Sequence, residues 1–241
     1  VKKSVSARKL EVDLDKLLKL DDERRKLTQE VDELRAKKNE AAKKKDIEAG
    51  KKIKVGHTGT LDPLATGLMI IVVGSYCKRA GEFSKLDKTY EVTMKLGETS
   101  TTGDDEGEKT SISDKRPNLE ELNAACAEFT GEIMQKPPIY SAIKVNGQRA
   151  YKLARKGEKV EIEPRKVTVL SLEITDYKYP FVKFTTNVSS GTYIRSLVED
   201  IGEKLGVGAY MSDLCRTRVG ASNITDAIGI AQTELAKLSE Y

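Results

Sequence analysis

A single carboxylate, Asp62, stands inside a run of small and turn-forming residues, GHTGTLDPLATG at 56–67. A loop of this composition is shaped to hold one acid still, either as a nucleophile or as the acceptor that satisfies a tight turn. Glycines at 56, 59 and 67 permit backbone angles that other residues avoid, and Pro63 fixes φ directly after the acid. The apolar run LMIIVVG at 68–74 follows at once and predicts a buried strand or helix start that would support the loop. The alternation of Tyr90, Val92, Met94 and Leu96 predicts one face of a half-buried strand. Tyr193 and Arg195 are two apart, so on a strand they would share a face. On residue type alone, Arg195 reads as a surface charge at a helix start, Leu214 as core, and His57, the only histidine, as a structural hydrogen-bonding group. The GDDEG loop around Asp104 has spacing somewhat like that of a calcium loop.

The elements around these residues follow from composition. A chain of 241 residues has room for one substantial core or two small ones. No apolar run approaches the ~18 residues of a membrane span, and no signal peptide is evident, so a cytoplasmic protein without membrane association is expected. Cys77, Cys126 and Cys215 are widely spaced, which points to small buried hydrophobes and to neither a disulfide framework nor a zinc site. Strand-like runs at 90–96, 160–175 and 181–189, with a helical stretch at 117–130, predict an α+β fold.

The net charge of +4 is unevenly spread. Residues 1–54 carry 18 Lys plus Arg against 12 Asp plus Glu, and the remainder carries 24 against 26. From Leu17 onward, Leu17, Leu20, Arg24, Leu27, Val31, Leu34, Lys38 and Ala41 alternate three and four apart, the seam of a coiled coil with two charged interruptions. A helix over 12–49 would run more than roughly 50 Å at ~1.5 Å per residue. Its half-satisfied seam predicts self-association, and a solvated helix with one apolar stripe is the plainer reading.

Two long segments, GHTGTLDPLATG and VSSGTYIRSLVEDIG at 188–202, resemble in their order the TruB family of tRNA pseudouridine synthases. KTYEVTMKLGETSTTGDDEGE at 88–108, KPPIYSAIKVNGQRAYKLARKGEKVEI at 136–162 and YMSDLCRTRVGASNITDA at 210–227 extend the resemblance over about residue 55 onward. It implies a pseudouridine synthase-like mixed, mainly antiparallel sheet with flanking helices. The implied activity is conversion of uridine to pseudouridine in the T-loop of tRNA, at position 55, with the target base flipped out and no cofactor or metal needed. By the same resemblance Asp62 is the catalytic acid, and Arg195 pairs with it and favours its ionised form. Tyr90 stacks on the target base, Leu214 forms an apolar floor beneath it, and Tyr193 lines the same pocket. His57 intrudes into the space left by flipped bases, and Asp104 orients its neighbours. Lys144, Arg149, Lys152, Arg155, Lys156 and Lys159, with Arg165 and Lys166 beyond them, are expected to grip RNA phosphates, a solvated charged face being the bland alternative.

Residues 1–54 resemble a different family, the lead-in and first helix of the coiled-coil arm of seryl-tRNA synthetases, without the returning helix. The expected organisation is thus a long charged helix over 1–54, a catalytic domain over 55–230 and a short helical tail over 231–241 without a PUA domain. The opening strand and Lys-Pro loop usual in the TruB family have no counterpart, so an unpaired sheet edge and exposed apolar surface are expected. Thr101 stands where many relatives carry Asp. A mosaic chain of this kind could instead be a catalytically inactive tRNA-binding or coiled-coil interaction protein, which would be indifferent to Asp62.

Overall fold

The computed structural model describes residues 53–229, apart from Asn146, Arg155, Glu158 and Lys159. The chain divides into two units, Val1–Ile53 and Lys54–Tyr241. The helix expected over 12–49, its seam and the tail over 231–241 lie outside the described residues.

Three short strands open the second unit: β1 (Val55–His57), β2 (Thr66–Gly67) and β3 (Ile71–Val73), followed by a 3-10 turn and the five-residue helix α1 (Ala80–Ser84). Next come β4 (Lys88–Leu96), β5 (Glu98–Ser100), β6 (Lys109–Ser111), α2 (Leu119–Glu128) and β7 (Gly131–Gln135). A hairpin of β8 (Lys144–Val145) and β9 (Gln148–Arg149) leads into α3 (Ala150–Ala154). The chain then forms β10 (Arg165–Lys178), β11 (Phe181–Val188), α4 (Ile194–Lys204), β12 (Ala209–Val219) and β13 (Ser222–Asn223).

Seven of these strands form one sheet in the order β13-β12-β4-β11-β10-β7, with β2 added to β12 in parallel and the other pairings antiparallel. The α+β class expected from the sequence, a mixed and mainly antiparallel sheet with flanking helices, is what is observed. Strand β4 is central because its alternation is nearly perfect: Tyr90, Val92, Met94 and Leu96 are buried while Glu91 between them is exposed. Phe184 of β11 and Met211 of β12 lie beside them in the sheet, and Leu197, Val198 and Ile201 of α4 with Leu122 and Cys126 of α2 complete the same core. Burial pushes the Cys126 thiol up to about 11, as for a small hydrophobe. Helix α2 begins with a reciprocal cap: Asn118 Oδ1 accepts from the Glu121 amide at 2.9 Å and Glu121 Oε2 accepts from the Asn118 amide at 2.8 Å.

The apolar run at 68–74 differs from its expectation. Only Ile71–Val73 is strand, and it pairs with β1 alone in a two-stranded ribbon. One face of a ribbon must look outward, so Val72 is buried while Val55, Ile71 and Val73 are exposed. Apolar surface is thus exposed in a run whose continuity predicts burial. Gly56 is ordinary strand and needs no special backbone angle, whereas Gly67 has φ +102°.

Helix α4 approaches β12 closely enough to leave no room for a methyl group at Gly202. A Cβ built there would lie 2.3 Å from the Ala209 amide nitrogen. Gly202→Ala is therefore expected to cost about 1–3 kcal/mol in chemical denaturation, by forcing α4 off the sheet.

Candidate active site

Asp62 and Arg195 meet across 133 residues of chain. Arg195 Nε lies 2.9 Å from Asp62 Oδ2, and its Nη2 donates to Oδ1 at 3.2 Å. The two ends of this pair live in different environments: the arginine side chain is 4% exposed and the aspartate 33%. The carboxylate is thus gripped from behind by a buried cation while part of it still faces outward.

The remaining donors of Arg195 tie other segments to the same point. Nη1 donates to the Thr102 carbonyl at 3.0 Å and lies 3.6 Å from Asp104 Oδ2, while Nη2 donates to the Tyr140 carbonyl at 3.0 Å. Asp104 is itself buried, with Oδ1 accepting from the Thr102 hydroxyl and, at 3.1 Å, from the Glu106 amide. The carbonyls of Asp104, Asp105 and Gly107, which a calcium loop would turn on a cation, instead accept from the Lys109 ammonium at 3.3, 2.8 and 2.8 Å. Among the described residues no cluster of His, Cys, Asp and Glu has the arrangement of a metal site.

The start of α4 fixes where Arg195 projects. Tyr193 is its N-cap but offers no side-chain cap, so the helix start is held from outside. The buried Gln135 side chain holds it from both sides of the peptide, with Nε2 donating to the Tyr193 carbonyl at 3.0 Å and Oε1 accepting from the Tyr193 amide at 2.8 Å. One turn on, the Ser196 hydroxyl donates to the Lys136 carbonyl at 2.8 Å. Tyr193 and Arg195 are therefore not two residues of one strand, as their spacing suggests. A turn at Gly191 starts a helix between them. They remain neighbours of the same carboxylate. Burial raises the Tyr193 phenol above its usual range, opposed by Ser141 and Arg165 and reinforced by Asp62.

The loop bearing Asp62 is held along its length. The Thr58 amide donates to the Ile70 carbonyl at 3.1 Å, the Ala65 amide to the Asp62 carbonyl at 3.0 Å, and the Leu68 amide to the Arg216 carbonyl at 2.7 Å. A second arginine, Arg216, anchors both ends: Nε donates to the Leu68 carbonyl at 2.8 Å and Nη2 to the Gly59 carbonyl at 3.1 Å. At Gly67 a Cβ would lie 2.3 Å from the Arg216 carbonyl oxygen, so only glycine allows this contact. Tyr90 stands directly across from Arg216 on β4, and Leu214 faces Val92 two pairs further along. Tyr90 and Leu214 are buried in the same cluster.

Of the sequence-predicted residues, the structure gathers Asp62, Arg195, Asp104 and Tyr193 at one place, with Tyr90 and Leu214 on the strands beneath. His57 is exposed on β1 opposite Ile71 and is joined to the Asp62–Arg195 pair by none of the described hydrogen bonds. Lys144, Arg149, Lys152 and Lys156 are exposed along the β8–β9 hairpin and α3, which is tethered to the site through the Tyr151 amide donating to the Ser141 carbonyl at 3.1 Å. Arg155 and Lys159 lie outside the described residues. Lys166 pairs with Glu132 at 2.7 Å on an exposed face. Sequence reasoning misses Gln135 and Arg216. Nothing marks Gln135, but Arg216 shares the strand face of Leu214 by simple alternation, and that signal is legible.

Comparison with known proteins gives three findings. The profile of the TruB family pseudouridylate synthase (N terminal domain) matches residues 43–194, that of the tRNA pseudouridylate synthase B C-terminal domain matches 195–240, and that of the seryl-tRNA synthetase N-terminal domain matches 1–61. Proteins called tRNA pseudouridine synthase B from Pseudomonas fluorescens and Burkholderia lata are 45% and 48% identical over 75% and 73% of this chain, and the match spans 59% and 54% of their lengths. A solved Cbf5-Nop10-Gar1 complex contains a chain 29% identical with a TM-score of 0.53, covering 70% of this chain and 42% of that one.

The site also carries a stability signature. Glu199 sits one helical turn after Arg195 against Gly103, and burial, with help from Asp200 and Asp104, pushes its carboxyl from 4.5 to about 7 despite the opposing Arg195 charge. The folded protein therefore holds the protonated form more readily than the unfolded chain does. This contribution is full below pH ~4.5 and is lost as pH rises through about 7. Because solvent screens part of the effect, Glu199→Gln is expected to raise stability by only about 1–2 kcal/mol at pH 8 and to leave it unchanged near pH 4.5. Thermal unfolding at the two pH values measures the difference.

Proposed function

The chain belongs to the TruB family of pseudouridylate synthases, and on that premise we propose that it isomerises uridine to pseudouridine in tRNA, at position 55 of the T-loop. One observation carries the reading: a carboxylate on a rigid loop, partly open to the outside and gripped from behind by a buried guanidinium. An enzyme that opens the bond between ribose C1′ and uracil N1 needs such an acid beside the nucleoside.

The reaction is an isomerisation. The C1′–N1 bond breaks, the base turns in place, and a C1′–C5 bond forms. The hydrogen on C5 leaves and N1 gains one, so atoms and electrons balance without an outside group or a cofactor. Asp62 acts on the nucleoside by attack at C6, addition at C1′ or removal of a proton at C2′, and all three need its ionised form. Arg195 fixes which oxygen faces the substrate. Tyr90 stacks on the base through cleavage and rotation, a contact worth ~1–3 kcal/mol, over a floor supplied by Leu214.

A uridine in a folded T-loop must leave its stack to reach this acid, and base flipping is part of the proposal. His57, exposed and five residues before Asp62, is read as contacting the RNA around the extruded base. Tyr193 lines the pocket, and Asp104 holds Arg195. Lys144, Arg149, Lys152 and Lys156, with Arg155 and Lys159, supply the salt-dependent phosphate contacts. We read 55–230 as the catalytic domain and 1–54 as an added tRNA-directed or self-associating helix, in a cytoplasmic enzyme.

Tritium at C5 of tRNA uridine is released to solvent only when the new bond forms at C5. The purified chain should therefore release tritium from T-loop uridine. Asp62→Asn should lower that rate by at least ~10³-fold while tRNA affinity changes by less than roughly tenfold, since phosphate contacts dominate binding. Release retained in the variant would sink the assignment. A folded chain that binds tRNA without release, with or without Asp62, would mark it as a binding protein.

A further inference from the structure

Arg216 has no place in the reaction as described, yet it is only 3% exposed and lies between the Asp62 loop and Tyr90. Its donors are divided. Nε and one Nη2 hydrogen are committed to the carbonyls of Leu68 and Gly59, at the two ends of the loop. Nη1 is left, and it lies against Gly59, 3.4 Å from where a Cβ would be. Tyr90 is the direct cross-strand neighbour of Arg216, so the two buried side chains share one face of the sheet, and the guanidinium acts on the phenol there. A guanidinium only donates, so any hydrogen bond between the two has the phenol oxygen as acceptor and leaves the phenol proton free for another partner. Both side chains are buried, so water does not compete for the contact.

We propose that Arg216 is a positioning residue for pseudouridine formation: pinned by the Gly59 and Leu68 carbonyls, it fixes the phenol of Tyr90 in register with Asp62 and directs its hydroxyl proton toward the substrate. The acid and the aromatic ring are then held by one planar group. Neither shifts against the other when the base is cleaved and turned. The charge of Arg216 also opposes the upward push that burial gives the Tyr90 phenol, which agrees with the geometry. A lysine here would keep the charge but could not span two carbonyls and a phenol with one ammonium at this spacing.

The inference rests on the pseudouridine reading, and its test has one arm that needs no RNA. Protein labelled with ¹³C at tyrosine Cζ gives a resonance for Tyr90, assigned by its loss in Tyr90→Phe, that reports on hydrogen bonding to the phenol oxygen. In Arg216→Lys and Arg216→Met, that resonance is expected to move at neutral pH and its titration to shift upward in the Met variant, while the other tyrosines stay in place. In the tritium assay, kcat should fall at least about tenfold with KM changed less than about threefold, because orientation rather than RNA grip is lost. The Lys variant keeps a buried cation and serves if Met prevents folding. An unmoved Tyr90 resonance in a folded variant would overturn the proposal whether or not the protein makes pseudouridine. A moved resonance with unchanged kcat would overturn its role in the reaction.

Discussion

The buried guanidinium of Arg195 is the constraint on which the site depends. Its side chain is almost wholly removed from solvent, so its charge and its donors must be met by protein. The charge is met by Asp62 and Asp104, and the Nη donors by Asp62 and the Thr102 and Tyr140 carbonyls, all from separate segments. None of these segments is regular structure at the point of contact, and each is placed by the need to satisfy the same cation. Removing a partner from a buried pair leaves an uncompensated charge, at a cost of several kcal/mol. The fold is thereby made to present Asp62 in one position.

What holds Arg195 in turn is the sheet. Helix α4 lies on it through Leu197, Val198 and Ile201, and its start is spliced to β7 by the Gln135 amide. On the other side, Arg216 of β12 binds the two ends of the Asp62 loop. Two buried arginines from different elements therefore frame one short loop, one holding its carboxylate and the other its backbone. Their rigidity is the means by which an isomerase of this kind would keep a base in place through bond breakage and rotation.

Parts of this architecture are legible in the sequence, and the rest is hidden for physical reasons. Strand β4 is readable because its period of two is uninterrupted from Tyr90 to Leu96, and α2 falls inside the helical stretch expected at 117–130. The run at 68–74 reads as buried since apolar continuity says nothing of how many faces are covered, and β3 has only one neighbouring strand. Tyr193 reads as strand because i and i+2 spacing is ambiguous where a turn begins a helix. Arg195, taken alone, looks like a surface charge. Its burial is created by contacts 133, 93 and 55 residues away, and no local pattern encodes them. Its pairing with Asp62 is expected only through a family resemblance. Arg216 escapes notice although alternation places it beside Leu214, since a buried arginine runs against the ordinary reading of charge.

The central claim is that Arg195 fixes the Asp62 loop, and amide hydrogen exchange on Arg195→Lys tests it most directly. Lysine keeps the charge and loses the fork that reaches Asp62, Thr102 and Tyr140 together. The account predicts that amides of the 58–68 loop, Thr58, Ala65 and Leu68 among them, lose protection while those of β4 and β11 keep theirs. Loop protection equal to that of the unaltered protein, in a variant whose sheet remains folded, would contradict it.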